Sequence, residues 1–395
     1  MQMTISSPDL AAHSLGIKNP FTDYFGFLPK NVPLPTFFSF EERETLIGTS
    51  LADALSSKTA SLEKEFDRLR ERTETIEWCH KVWWDEITGQ LTFNDWLVVD
   101  AIYRSRALEL PRNVGDGMVP VLDMANHGST DHYNARFEVD DDGNVALLVR
   151  DGRQIGEDEE VLISYGPGGA TEMIFSYGFL EQGATSAREL FLSLEAPDDD
   201  PLRTAKVRVA REAPGVRIFV DPNGEVSWES AFVWWMCINE EDGLDFKVLQ
   251  TNEGSRELQA LWKGSELDPR VLKSTLMDDP QKDIFMLRAV VMIQQRVEEQ
   301  GEALSISGEK LLEQGSAMAE KRRGTYDSIN RLRELELDLL TASFGSLEMQ
   351  VSLVTTFFRR CIESTNPETN AHTTETGASH IKDGNRVPCR KHAPP

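Results

Sequence analysis

Apolar residues first fall into a helical rhythm within "SLEKEFDRLRERTETIEWCHKVWW", where Leu62, Phe66, Leu69, Ile76 and Cys79 recur at spacings of three, four and seven. Start signals support further helices on either side. Ser39 and Glu42 have the spacing of a capping box before "ERETLIGTSLADAL", and Thr92 with Asp95 can cap "NDWLVVDAIYRSRAL". Upstream, "NPFTDYFGFLPKNVPLPTFF" mixes aromatics with proline and predicts an irregular segment laid on a surface. From Met118 the rhythm shortens: "MVPVLD", "ARFEVD", "NVALLVR" and "EVLISY" predict strands, separated by turn chemistry such as Asp142-Gly143-Asn144. The "GDG" of Gly115 to Gly117 reads as a turn. "TEMIFSYGF" predicts a helical turn ending at Gly178, "ELFLSLE" a strand, and "VRIFV" with "EVSW" a hairpin around Asp221 to Gly224. "APDDDP" marks a candidate domain boundary. From Glu229 to about Arg360 helix is expected throughout, and the polar stretch beyond Glu363 is expected to be disordered.

A chain of 395 residues, 40% of them hydrophobic, has room for two ordinary domains with real cores. Charge narrows the partners. Lys and Arg number 41 against 66 Asp and Glu, a formal net charge of -25, which disfavours nucleic acid and anionic membrane surfaces and favours a basic protein partner. The four cysteines (79, 237, 361 and 389) form no C-x-x-C, so neither a zinc site nor a disulfide framework is expected, and His132 is not at helical metal-ligand spacing from His127. No stretch has the length of a membrane span, and the N-terminus lacks the pattern of a signal peptide. A cytoplasmic or nuclear location is expected. The oligomeric state is not legible.

The chemistry concentrates after "VPVL", where Asp123, Asn126 and His127 are side chains costly to bury without partners. With "YRSRAL" upstream, "VLISYGPGGATEMIFSYGF" downstream and "DYFGFLPKNVPLPTFF" before the first helix, this order of motifs resembles SET-domain methyltransferases. Within them it is similar to the subgroup of the plant Rubisco large-subunit lysine methyltransferase and the fungal ribosomal-protein lysine methyltransferases. The likeness runs from Pro20 to about Arg360.

What the resemblance implies is an α+β protein. A segment 1–19 precedes a partial SET β-fold over 20–195 with a helical insert at about 39–110; an all-α substrate-binding domain follows over 196–363, then a tail 364–395. S-adenosylmethionine would bind one face of the β-fold, and a channel would lead through to a lysine of a protein substrate, histone, ribosomal or other. A variant of the reading places the methyl on histidine. Tyr165 matches the catalytic tyrosine, Tyr177 a second channel tyrosine that also borders the cofactor, and Phe179 the ring against the adenine. Asn126 and His127 match the pair that holds the cofactor, where a later segment threads beneath a loop in a knot-like exception to ordinary topology. Arg106 matches an arginine at the junction of substrate and cofactor. Main chain near Ser105 and Asp123 would line the channel, and Phe137 stands where the plant enzyme has a channel tyrosine. The family's Gly-x-Gly cofactor segment has no match before Pro20, which leaves a catalytically inactive, SET-like protein-binding module as the alternative.

The types of residue suit that chemistry. Methyl transfer is an in-line displacement that asks for alignment of a neutral amine and exclusion of water, and orientation supplies much of the rate. A phenol stays neutral at working pH and orients an amine without trapping it as a salt-bridged ammonium.

Overall fold

The computed structural model describes residues 20–365 apart from 88, 111–114, 130–131, 182, 251–255 and 315–322. The expected segment 1–19 and nearly all of the tail 364–395 lie outside these residues. Ser39 caps the short helix Phe40–Glu44 through a complete capping box, its hydroxyl accepting from the Glu42 amide while the Glu42 carboxylate accepts from the Ser39 amide. That helix cannot run on. Gly48 has φ +83°, and a Cβ there would lie 2.7 Å from the Ala303 carbonyl oxygen, so the chain turns before helix α1 (Ser50–Thr73). A π-helical turn at His80–Trp84 leads towards helix α2 (Phe93–Arg106), which starts from the Thr92 and Asp95 capping box.

Two expectations change in the next stretch. "GDG" is not a turn: strand β1 (Leu108–Leu110) pairs antiparallel with strand β2 (Gly115–Gly117), Leu108 opposite Gly117, and ladder pairing outweighs the local preference of two glycines. "MVPVLD" is not a strand. Pro120 has no N–H to give a ladder, Val121 takes φ +75° and is exposed, and Leu122–Met124 coil into a 3-10 turn that carries Asp123.

Strands β3 (Asn126–His127) and β6 (Leu162–Ile163) pair in parallel, with the antiparallel hairpin of β4 (Ala135–Val139) and β5 (Val145–Val149) between them in sequence. After β6, a helical turn Ala170–Glu172 passes into a π turn Met173–Tyr177 and stops at Gly178, φ +80°. A Cβ at Gly178 would meet the Pro33 carbonyl oxygen at 2.5 Å, which fixes glycine where the site's backbone lies against the proline-rich entry segment.

The chain does not part at residue 195. Strands β7 (Glu189–Ser193), β8 (Gly215–Val220) and β9 (Val226–Glu229) form one antiparallel sheet across the expected boundary, with helix α3 (Arg203–Ala210) in the β7 to β8 connection. Leu190, Leu192, Val216 and Ile218 alternate onto its buried face. The same apolar core takes in Leu51 and Ile174 from before the boundary and Trp234, Phe285 and Leu335 from after it. "APDDDP" is a polar loop on one body, and its composition does not distinguish a boundary from an exposed connection.

Nor is the C-terminal half all-α. Between helix α4 (Phe232–Met236) and helix α5 (Lys282–Gln314) lies a three-stranded antiparallel sheet of β10 (Leu244–Gln250), β11 (Arg256–Trp262) and β12 (Ser265–Leu267). Lys263 and Gly264 both take positive φ, 49° and 82°, the geometry of a two-residue hairpin turn. Leu244, Ala260, Trp262 and Leu267 point inward, so the period is two, not 3.6.

Helix α5 packs on helix α6 (Arg323–Thr365), rows such as Phe285, Ala289, Ile293 and Val297 facing Leu332, Leu335, Leu339 and Leu347 in the core. A polar clasp ties α6 to the entry of α1. Glu336, fully buried, accepts from the Ser50 amide, the Ser50 hydroxyl (2.6 Å) and the Thr171 hydroxyl (3.1 Å). Arg333 donates to the carbonyls of Thr45, Ile47 and Leu304. Among the described residues no helix is long and apolar enough to cross a membrane.

Candidate active site

The 3-10 turn at Asp123, strand β3, the residues after β6 and the π turn converge on one cluster of rings. Tyr165 stands 4.6 Å from Tyr177 and 5.2 Å from His127 between ring centroids; Phe179 lies 5.9 Å from His127 and 6.4 Å from Tyr177. Short parallel pairing of β3 with β6 brings this about, since Asn126 opposite Leu162 and His127 opposite Ile163 place Tyr165 two residues beyond the pair. The Tyr165 hydroxyl donates to the Ala125 carbonyl at 2.9 Å, and its amide donates to His127 Nδ1 at 3.2 Å. Burial pushes both phenols above their ordinary range. The Arg106 charge acts against that rise at Tyr165, while Glu172 and Tyr165 add to it at Tyr177.

Arg106 and Asp123 form the polar wall. Arg106 Nη1 donates to the Asp123 carbonyl at 2.9 Å and lies 3.5 Å from Asp123 Oδ2. The Tyr24 hydroxyl donates to the same carboxylate. Burial drives the Asp123 carboxyl up, with Tyr24 and Arg106 pulling the other way. Among the described residues, two buried polar atoms here have no hydrogen-bond partner: Arg106 Nε and Asp123 Oδ1.

The remaining expected residues are placed differently. The Asn126 side chain turns out to Glu160, its Nδ2 donating to the carboxylate at 2.6 Å, while its main chain pairs with Leu162. Ser105 is half-buried, its hydroxyl donating to the Ile102 carbonyl at 3.3 Å within α2. Phe137 is half-buried on β4 opposite Leu147, and among the described residues it has no ring contact with the cluster. Sequence reasoning missed Tyr24, Glu181 and Arg188. Glu181 Oε1 lies 2.6 Å from His127 Nε2, and its other oxygen lies 3.3 Å from Arg188. No local spacing could have flagged them, because their partners lie 54 to 99 residues away or belong to a loop without periodicity. A cavity of about 390 Å³ opens beside this pair, lined among others by Ser129, His132, Gly168 and Arg188. Among the described residues no group of three or more His, Cys, Asp or Glu could hold a metal ion.

The family model for cytochrome c lysine N-methyltransferase 1 matches residues 30–205, which hold the whole ring cluster. A fission-yeast protein, SET domain-containing protein 8, is 28% identical over 287 residues, covering 71% of this chain and 63% of that one. The chloroplastic fructose-bisphosphate aldolase lysine N-methyltransferase of Arabidopsis thaliana is 25% identical over 195 residues, 47% of this chain and 39% of that one. The chain thus spans less than two thirds of the length of these relatives. Crystal structures of the Rubisco methyltransferase LSMT with lysine and AdoHcy, and with AdoMet, superpose with TM-scores of 0.57 and 0.53 at 19% identity, covering 88% and 85% of this chain and 75% and 72% of those. The chain thus shares the fold of the SET domain of LSMT, an α+β architecture, with the ring cluster in its β part.

Proposed function

We propose that this chain is a protein-lysine N-methyltransferase that uses S-adenosylmethionine and acts in the cytoplasm or nucleus on a lysine presented from a basic protein surface. One observation carries the reading: two half-buried phenols, Tyr165 and Tyr177, face each other at 4.6 Å beside His127, Phe179 and Arg106. The residues present fit the cofactor, since Arg106 Nε and Asp123 Oδ1 are buried polar atoms with no hydrogen-bond partner among the described residues and can pair with a polar ligand. Arg106, the main chain at Asn126 and His127, and the rings of Tyr177 and Phe179 would hold it. When bound, it supplies a methyl group on a positively charged sulfur.

The chain's own groups orient the amine. Tyr165 spends its proton on the Ala125 carbonyl, so its oxygen lone pairs are free to accept an N–H of the incoming amine. The amine's own lone pair is then left to point along the reaction axis. Desolvation keeps both phenols neutral, and Asp123, the carboxylate acting most strongly on Tyr165, is itself engaged by Tyr24 and Arg106. The acidic balance of the chain, -25, suits a substrate surface of opposite sign.

Calorimetric titration with S-adenosylhomocysteine and methyl transfer to basic protein substrates, read by mass spectrometry, test this. Binding is expected, with methyl on lysine and a loss of about 100-fold in rate for Tyr165→Phe. No binding up to millimolar ligand, or product confined to histidine, would overturn the reading.

A further inference from the structure

The site contains a polar chain that the methyl-transfer reading does not use. Tyr165 donates its main-chain N–H to His127 Nδ1. A ring nitrogen that accepts carries no proton, so the neutral imidazole must hold its proton on Nε2, and that atom lies 2.6 Å from Glu181 Oε1. The second Glu181 oxygen lies 3.3 Å from Arg188 Nη2, and Arg188 Nη1 donates to the Gly168 carbonyl at 3.4 Å. Gly168 is three residues beyond Tyr165, so the chain closes on the segment where it began. The His127 side chain is 6% exposed and that of Glu181 17%, while Arg188 reaches in from the surface at 44%.

We infer that Glu181, braced by Arg188, is a positioning residue for Tyr165, acting through the tautomer of His127. In the other tautomer, Nδ1–H would confront the Tyr165 N–H, and the Glu181 carboxylate would face a bare Nε2 lone pair. Both bonds would be lost together, and with the first goes the tie that holds the Tyr165 main chain on β3. An acceptor at Glu181 is therefore what selects the geometry in which the phenol stands over the ring of Tyr177. The geometric half needs no catalysis; its effect on rate rests on the methyltransferase reading.

Long-range ¹H–¹⁵N correlation on the full chain separates the two. The wild-type protein is expected to show His127 protonated on Nε2 alone. Glu181→Gln, whose amide oxygen still accepts, keeps that pattern and the Tyr165 amide shift; Glu181→Leu yields a mixture of tautomers and moves the Tyr165 amide. With a methylated product as second readout, kcat falls about tenfold in Glu181→Leu, with KM for the protein substrate little changed, and recovers in Glu181→Gln. A wild-type His127 protonated on Nδ1, or a Tyr165 amide shift identical in all three proteins, overturns the inference, the first even if Glu181→Leu does not fold. Absence of methyl transfer with the tautomer pattern as expected overturns the methyltransferase reading and leaves the positioning role standing.

Discussion

Glu336 in the clasp between α6 and α1 and Asp123 in the ring cluster are both buried carboxyl groups pushed up by desolvation, yet their surroundings differ. Glu336 meets three donors from Ser50 and Thr171, and the neighbouring Arg333 is satisfied by three main-chain carbonyls. Among the described residues, one Asp123 oxygen and the Arg106 Nε beside it have no hydrogen-bond partner. A network whose every atom is satisfied has nothing left to bind with. One that leaves buried donors and acceptors open carries a free-energy cost that a polar ligand can relieve. At these two places the contrast sets a clasp that holds the fold together against a pair with hydrogen-bonding capacity left open.

The largest test of the contrast is Arg333→Ala. It removes the guanidinium donors from the Thr45, Ile47 and Leu304 carbonyls, of which Leu304 keeps only the Ser307 hydroxyl among its side-chain donors, and leaves Glu336 without a nearby cation, so a loss of about 3–5 kcal/mol is expected in urea unfolding. Next comes pH. The folded pKa of Glu336 lies above its ordinary value of 4.5, so between the two the folded state binds more protons than the unfolded. Stability from this group is complete below about pH 4.5 and is lost as pH rises through the folded pKa, by up to about 1.4 kcal/mol per pH unit. Subtracting the curve of Glu336→Gln from that of the wild type isolates the slope; a flat difference from pH 4 to 7 would break it. Tyr165→Phe removes one hydrogen bond to Ala125, so unfolding should shift by only about 1 kcal/mol even as activity collapses. Smallest is Asp123→Asn. The amide oxygen still accepts from Tyr24, Arg106 keeps its bond to the Asp123 main-chain carbonyl and the ionisation cost disappears, so calorimetric melting should change by less than about 1 kcal/mol. A loss comparable to that of Arg333→Ala would erase the distinction.

The motif residues were legible because the fold keeps them near in sequence or on fixed pairings. His127, Tyr165, Tyr177 and Phe179 do form one cluster, and both capping boxes stand where Ser39 and Thr92 announced them. Phe137 and the Asn126 side chain do not join it, since their orientation depends on the β4 to β5 pairing and on Glu160, neither visible locally. The sheet of β10 to β12 was hidden by the helices around it, although the alternation around Trp262 and the Lys263-Gly264 turn were both in the text. "MVPVLD" misled in the opposite direction: five apolar residues suggested a strand that Pro120 and the positive φ of Val121 forbid.

The parallel pair of β3 and β6 has a kinetic consequence. Its two rungs join residues 36 apart, the ring of His127 then waits for an amide 38 residues on and a carboxylate 54 residues on, and each loop must close before any of these bonds repays it. Local helices such as α2 can fold as they leave the ribosome, but the geometry of the ring cluster condenses only after Glu181 has been made.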